Sequence, residues 1–92
     1  MNTYNLADIK KNKNMRMRSV DGTFYLFGNG QCFELNELGA LTWKYIDNDM
    51  STEEFCEKVA VKYKENDLNK IQNDVNEFVV FLKDNGLVDI NE

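Results

Sequence analysis

Residues 15–36 read MRMRSVDGTFYLFGNGQCFELN, and this stretch decides the predicted fold. The Asp-Gly pair at 21–22 and the Gly-Asn-Gly-Gln run at 28–31 are typical of tight hairpin turns, because these residue types tolerate positive φ. Beside these turns, aromatic, β-branched and alternating apolar side chains are typical of strands. We expect the strands at residues 15–18, 23–27 and 32–35. The stretch therefore predicts a three-stranded antiparallel meander.

Two shorter helices are predicted after the meander, the first of them ending near Ile46. Asn36 is a good N-cap for the first helix, since its side chain can accept a hydrogen bond from an orphan amide of the next turn. Ser51 and Glu54 form a capping box at the start of the second helix. In the connector between the two helices, Asn48 is expected to be the left-handed cap residue.

A longer third helix is predicted to begin after Asp67 or Asn69 and to end at Asn85-Gly86. Its apolar residues recur at helical spacing, which is a strong amphipathic signal. They are Ile71, Val75, Phe78, Val79 and Leu82. The short apolar tail at residues 87–90 is expected to fold back on the body. This element order predicts an α+β fold of the winged helix-turn-helix type, with a three-stranded antiparallel sheet followed by three helices.

The composition describes one domain and disfavours several function classes. The chain has 92 residues, no His, no Pro and two Cys. Without His and without a CxxC pair, a zinc site or a Ser-His or Cys-His catalytic pair is disfavoured, and Cys56 is expected to be a core residue. No apolar run suggests a membrane span or a signal peptide. We expect a cytoplasmic, non-catalytic binding module with no cofactor, no metal and no membrane partner.

Charge is unevenly distributed along the chain, whose net charge is −5. Residues 1–18 carry five basic side chains and one acidic side chain, whereas residues 19–92 carry six basic and fifteen acidic ones. Residues 1–14 are interpreted as a flexible basic segment that is either a solvated tail or an arm for nucleic acid. The acidic body repels phosphate backbones, because nucleic-acid affinity comes largely from Lys and Arg. Nucleic acid is therefore not the expected partner.

Several motifs, in order along residues 15–90, resemble those of a known family. The first is an aromatic-x-Leu-Asn junction, Phe33-Glu34-Leu35-Asn36, followed by Gly39-Ala40 and Trp43. The second is similar to an Asp-Gly-x-x-Thr connector, with Asp47-Asn48 and Thr52, where Asn48 stands in place of the usual Gly. The last is similar to the family's final helix, with Asp74-Val75, Phe78, Leu82 and Gly86-Leu87. The chain resembles the PqqD-like family, also called the RiPP precursor peptide recognition element.

The resemblance implies a non-catalytic adaptor formed by residues 15–92. Such domains capture the leader segment of a ribosomally synthesised precursor peptide and present it to a modifying enzyme, such as a radical SAM maturase, or to a leader peptidase. In the family, the leader adds as a strand to the exposed edge of the third strand, in the groove formed with the third helix. The residues suit that function physically, because the outer strand of a meander has unpaired amides and carbonyls that an extended peptide can satisfy.

The resemblance and the free strand edge together select the candidate peptide-binding residues. They are the backbones of Gln31, Cys32, Phe33, Glu34 and Leu35 on the third strand, and Lys70, Asp74, Glu77, Phe78 and Phe81 on one flank of the third helix. Phe81 lies off the main apolar stripe, so it either floors a peptide pocket or packs in the core. Asp74 either pairs with a cation or a tyrosine hydroxyl of the leader or makes a local bond that holds the helix. Phe33→Pro is expected to remove an edge-strand amide and to weaken capture.

Two other functions stay open at this point. A winged-helix DNA-binding transcriptional regulator needs a basic recognition helix. The third predicted helix instead has two basic side chains against three acidic ones, namely Lys70 and Lys83 against Asp74, Glu77 and Asp84. A homodimer through the edge strand is the other alternative, because a free edge invites pairing between copies.

Overall fold

Two separate antiparallel sheets and three helices make up residues 4–90, the part of the chain that the computed structural model describes. The strands are β1 (Ile9–Lys11), β2 (Arg16–Val20), β3 (Thr23–Gly28), β4 (Gln31–Leu35) and β5 (Val88–Ile90). The helices are α1 (Glu37–Tyr45), α2 (Thr52–Tyr63) and α3 (Leu68–Asp84). The larger sheet has the order β2-β3-β4, and β1 pairs with β5. The predicted α+β class, with a meander followed by three helices, is confirmed.

The two hairpin turns have the backbone conformation that the sequence predicts. Asp21 and Gly22 have φ of 51° and 84°, and Asn29 and Gly30 have φ of 51° and 77°. Positive φ at both central residues is the signature of a type I′ turn, whose twist matches that of the flanking strands. These turns set the register of the sheet, in which Leu26 of β3 lies opposite Phe33 of β4.

Side chains cap the beginning of each helix, mostly as predicted. The Asn36 side-chain oxygen Oδ1 accepts a hydrogen bond from the amide three residues on, at 2.7 Å. The Ser51 hydroxyl accepts one from the Glu54 amide at 3.1 Å, although the Glu54 carboxylate returns to the Ser51 hydroxyl, at 3.4 Å, and not to its amide. Asp67, and not Asn69, is the N-cap of α3. Each cap satisfies an orphan amide and so defines where its helix begins.

The prediction that Asn48 is the left-handed residue of the α1–α2 connector is wrong. Positive φ occurs instead on either side of it, at Asp47 (75°) and Asp49 (54°). Asp tolerates this region because its short polar side chain can hydrogen-bond locally. The Asn48 side chain donates to the carbonyl oxygen of Lys44, at 3.1 Å, and thereby satisfies a carbonyl at the C-terminal end of α1.

The core lies between the inner face of the larger sheet, the three helices and the β1–β5 pair. Leu26 and Leu35 are its buried residues on the sheet, and Phe55 is fully buried on α2. The predicted stripe on α3 is buried at Ile71, Val75, Val79 and Leu82, whereas Phe78 is only half-buried. None of the helices within residues 4–90 is long and apolar enough to cross a membrane.

The N-terminal segment differs from its sequence interpretation as a flexible tail over residues 1–14. Leu6 and Ile9 are 2% and 0% exposed, and β1 pairs with β5 in the register Ile9↔Ile90. Burial of these two apolar side chains, worth about 1.5–3 kcal/mol each, offsets the ordering of the segment. Residues 1–3 and 91–92, which the predicted segment and domain include, lie outside the described residues.

Two residues of the connector motif hold this segment in place. The Thr52 hydroxyl accepts a hydrogen bond from the Leu6 amide at 2.9 Å and donates one to the Tyr4 carbonyl at 3.0 Å. The Asp47 carboxylate accepts a longer bond, 3.4 Å, from the Lys11 amide. The connector between α1 and α2 therefore positions the N-terminal segment against the domain.

The two cysteines lie in contrasting environments, which gives a direct test of the packing. Cys56 is 1% exposed, and burial raises the pKa of its thiol, whereas Cys32 is exposed. A raised pKa lowers the fraction of reactive thiolate at any given pH. At about pH 8, near the ordinary thiol pKa, iodoacetamide is expected to modify Cys32 in the folded protein and to reach Cys56 only after denaturation in urea. Mass spectrometry of the modified peptides checks this, and equal rates at both thiols in the folded protein would contradict the packing of α2.

Candidate peptide-binding site

The outer edge of β4 has no strand beside it within residues 4–90. β4 is the last strand of the order β2-β3-β4, and the β1–β5 pair forms a sheet of its own. Neither described terminal segment therefore occupies the β4 edge. An edge of this kind presents a row of backbone donors and acceptors that a further extended chain can satisfy.

The type I′ turn at 29–30 determines which groups of β4 point outward. Gly28 and Gln31 flank this turn and form its hydrogen-bonded pair, and bonded and non-bonded pairs then alternate along the hairpin. Phe33 and Leu35 consequently exchange their bonds with β3. The amides and carbonyls that face the free edge are those of Cys32 and Glu34.

This geometry corrects the substitution proposed from the sequence. Phe33 lies opposite Leu26, in a hydrogen-bonded pair. Phe33→Pro therefore removes a bond within the sheet and leaves the edge amides intact. The positions at which proline removes an edge amide are Cys32 and Glu34.

Three aromatic rings meet between β4 and α3, where the candidate groove lies. Phe33 meets Phe81 edge-on, with ring centroids 5.2 Å apart and an interplanar angle of 89°. Phe78 stacks against Phe81 at 6.1 Å and 22°. All three rings are half-buried, so each packs on the domain and keeps part of its surface exposed. Offset and edge-to-face aromatic pairs of this kind are favourable and specific in geometry.

Gly39 lies under this aromatic cluster and was not selected from the sequence as a site residue. It is buried on α1, and a Cβ added there would lie 3.1 Å from the Phe78 ring carbon Cε1. The absence of a side chain therefore lets α1 approach α3 closely at the ring that borders the groove. The signal for it in the sequence is the Gly39-Ala40 pair of small residues inside an otherwise bulky helix.

The remaining candidate residues fall into separate groups. Gln31, Cys32 and Glu34 are exposed, whereas the Leu35 side chain is core and only its backbone adjoins the groove. Glu77 is an exposed residue on the flank of α3. Lys70 and Asp74 line a cavity at the end of the groove, where β4 passes into α1.

The electrostatics of that cavity are acidic. Partial burial, together with a hydrogen bond to the Glu37 carboxylate and its negative charge, raises the pKa of Tyr63 above its usual range. Both residues line the cavity. Within residues 4–90, no group of three or more His, Cys, Asp or Glu side chains is arranged to hold a metal ion. The site is therefore a free strand edge, an aromatic groove and an acidic cavity at its end.

Comparison with known proteins agrees with this architecture. The structure is similar to that of TbiB1, solved in complex with the TbiA(beta) leader peptide, with a TM-score of 0.74 and 20% sequence identity. The match covers 87% of this chain and 94% of the TbiB1 chain, and it shows a shared fold. No match is found among curated proteins. Residues 15–88, which hold the meander, all three helices and the start of β5, match the family described as coenzyme PQQ synthesis protein D, and the chain therefore belongs to the PqqD family.

Proposed function

We propose that the domain is a non-catalytic adaptor that binds the leader segment of a ribosomally synthesised precursor peptide. The leader adds as a strand to the free edge of β4 and lies in the groove formed with α3. The single observation that carries the proposal is the unpaired β4 edge beside the Phe33–Phe81 ring pair. The likeness to a protein solved with a leader peptide supports it.

The size of the edge sets the expected affinity. Cys32 and Glu34 each offer one outward amide and one outward carbonyl, at about 0.5–1.5 kcal/mol net per hydrogen bond. Apolar anchors against the three rings add about 1.5–3 kcal/mol each. Part of this gain offsets the ordering of a disordered peptide, at about 2–5 kcal/mol or more. A dissociation constant of about 1 μM, which corresponds to about −8 kcal/mol, is expected.

The bound leader is presented to a modifying enzyme, such as a radical SAM maturase, or to a leader peptidase. Because the precursor is a ribosomal product, the domain acts in the cytoplasm. A peptide bound at this edge excludes edge-to-edge pairing with a second copy, so a β4-mediated homodimer competes with leader binding. Moderate affinity suits such an adaptor, since the peptide is later released.

The charge of α3 argues against a DNA-binding regulator. Lys70 and Lys83 are outnumbered by the acidic side chains at 74, 77 and 84. A helix that enters the major groove carries basic side chains, because phosphate contacts supply much of the affinity. A salt-dependent shift of duplex DNA by the protein would favour the regulator instead.

Titration of the leader peptide encoded beside this gene tests the proposal. Binding at micromolar concentration is expected by calorimetry, and Phe81→Ala is expected to weaken it about tenfold, because the ring surface that anchors the peptide is lost. Val80→Ala is the matched control, since Val80 is a neighbouring α3 residue, 36% exposed, outside the aromatic cluster. Circular dichroism checks that both variants are folded. Absence of binding of the leader to the wild-type protein at tens of micromolar contradicts the adaptor function.

A further inference from the structure

The cavity at the end of the groove continues the path of a peptide bound to β4. From β4 into α1, the contacts with α3 move toward the N-terminal end of α3, because Phe33 of β4 meets Phe81 and Gly39 of α1 lies beside Phe78. Nearer the N-terminal end of α3, Asp74 lines a cavity of about 340 Å³ together with Asn36, the residue that follows β4. This volume is near the lower end of the range of about 300–1,000 Å³ for ligand clefts. It suits one large side chain.

The cavity joins an apolar floor to an acidic rim. Leu38, Val59 and Ile71 contribute the apolar lining, and Val59 and Ile71 are only 3% and 5% exposed. Three carboxylates also line the cavity, those of Glu37, Glu65 and Asp74, against one amine, that of Lys70. Lys and Arg combine a long apolar stem with a cationic head, and they bury the stem while the head stays near the surface.

The polar side chains of the cavity rim differ in whether they already have a hydrogen-bond partner within the protein. The Asn36 side-chain oxygen caps α1 by accepting from the Gly39 amide, so this oxygen is already engaged. The Glu37 carboxylate is already engaged as the hydrogen-bond partner of the Tyr63 hydroxyl. The exposed Asp74 carboxylate has no hydrogen-bond or ion-pair partner of its own within residues 4–90. Asp74 is therefore the carboxylate most open to a bound cation.

We propose that this cavity is a specificity pocket for a lysine or arginine side chain of the peptide that β4 captures. The inference rests on the proposed function and adds to it the class of leader that binds. Neighbouring strands have the same rise of about 3.3 Å per residue, and side chains on one face recur every second residue. Asp74 precedes Phe81 by seven residues on α3, which is about 10 Å at a helical rise of 1.5 Å per residue. An extended peptide covers this separation in three to four residues, so the basic residue is expected about four positions from the apolar residue that meets the Phe33–Phe81 pair, with both side chains on one face.

Selection from a random linear peptide library displayed on phage tests the pocket without knowledge of the natural leader. The wild-type protein is expected to enrich peptides with an apolar anchor and a Lys or Arg at a constant distance from it. Asp74→Asn is expected to retain the apolar preference and to lose the basic one. Asp84→Asn is the matched control, because this α3 carboxylate is exposed and does not line the cavity.

A peptide from this selection then serves to measure the strength of the pairing between its basic residue and Asp74. Replacement of its arginine by citrulline, which has the same shape without the charge, is expected to weaken binding to the wild type about three- to tenfold. The same replacement is expected to have little effect on binding to Asp74→Asn. Enriched peptides without a basic residue at a constant position, or an equal citrulline effect in both proteins, overturn the pocket and leave the adaptor function standing. Failure to enrich any peptide counts against strand addition and against the pocket with it.

Discussion

Glu34→Pro is expected to weaken leader binding at least tenfold while the domain stays folded. The Glu34 amide faces the free edge of β4, so proline removes one edge donor and no bond of the β3–β4 pair. The proline ring also projects toward the incoming strand and obstructs its approach. The lost hydrogen bond is worth about 0.5–1.5 kcal/mol, and the steric obstruction raises the loss beyond about 1.4 kcal/mol, or tenfold. Fluorescence anisotropy of a labelled leader peptide measures the change.

Two control variants separate the edge amide from other effects. Glu34→Ala removes the carboxylate and keeps the amide, so it is expected to bind almost as the wild type does. Ser19→Pro removes an outward amide from β2, which forms the opposite edge of the same sheet. Val20 flanks the 21–22 turn in a hydrogen-bonded pair, so Ser19, one pair further along, directs its amide outward. Weakening by Ser19→Pro without weakening by Glu34→Pro would move the peptide to β2 and contradict strand addition at β4.

Local signals in the sequence were sufficient to predict the sheet and the helices. The Asp-Gly and Asn-Gly pairs define both hairpins because their positive φ is a property of the residues themselves. Asn36 and Ser51 define helix starts for a similar reason, since the capping bond spans only three residues. The direction of the β4 amides was also available from the sequence, by counting pairs from the 29–30 turn. Counted from that turn, Phe33 lies in a hydrogen-bonded pair, so its amide faces β3 and is not an edge donor.

Contacts between segments that are distant in the sequence could not be predicted from local signals. Leu6 and Ile9 are buried because β5 and the start of α2 lie against them, and neither partner is adjacent in the chain. Two isolated apolar residues in a basic segment give no periodic pattern from which to infer burial. The Phe33–Phe81 contact likewise depends on how α3 packs on the sheet, although each residue was selected singly. The acidic cavity combines residues from all three helices, and so it emerges only from the packed structure.

Gly28→Ala is expected to destabilise the domain by about 3 kcal/mol or more, the largest stability change among the glycine positions of the hairpins. Gly28 has φ of 155°, a region that is essentially restricted to glycine and costs other residues about 1–3 kcal/mol. A Cβ there would also overlap the backbone oxygen of Asn14 and lie 2.8 Å from the Met15 sulfur. The backbone oxygen cannot move aside as a flexible side chain does. Urea denaturation followed by circular dichroism measures the loss.

Gly22→Ala is the matched control, because Gly22 also has positive φ, 84°, but a Cβ there meets nothing within 4 Å. Its cost is the backbone strain alone, about 1–2 kcal/mol. The difference between the two variants therefore measures the close approach of residues 14–15 to the hairpin together with the difference in backbone strain between φ of 155° and φ of 84°. Equal destabilisation by both would show that this approach relaxes without cost.

The position of Gly28 also connects stability to the peptide site. Gly28 pairs with Gln31 across the turn, and this pair determines that the Cys32 and Glu34 groups face outward. If a side chain at 28 displaced the strand, a slip of one residue would exchange the outward groups with those of Phe33 and Leu35 and would turn the aromatic face away from α3. The folded fraction of Gly28→Ala is therefore expected to bind leader more weakly than Gly22→Ala does at equal folded concentration. Equal affinity of the two folded fractions would show that the register of β4 is held by its contact with α3 and not by the turn.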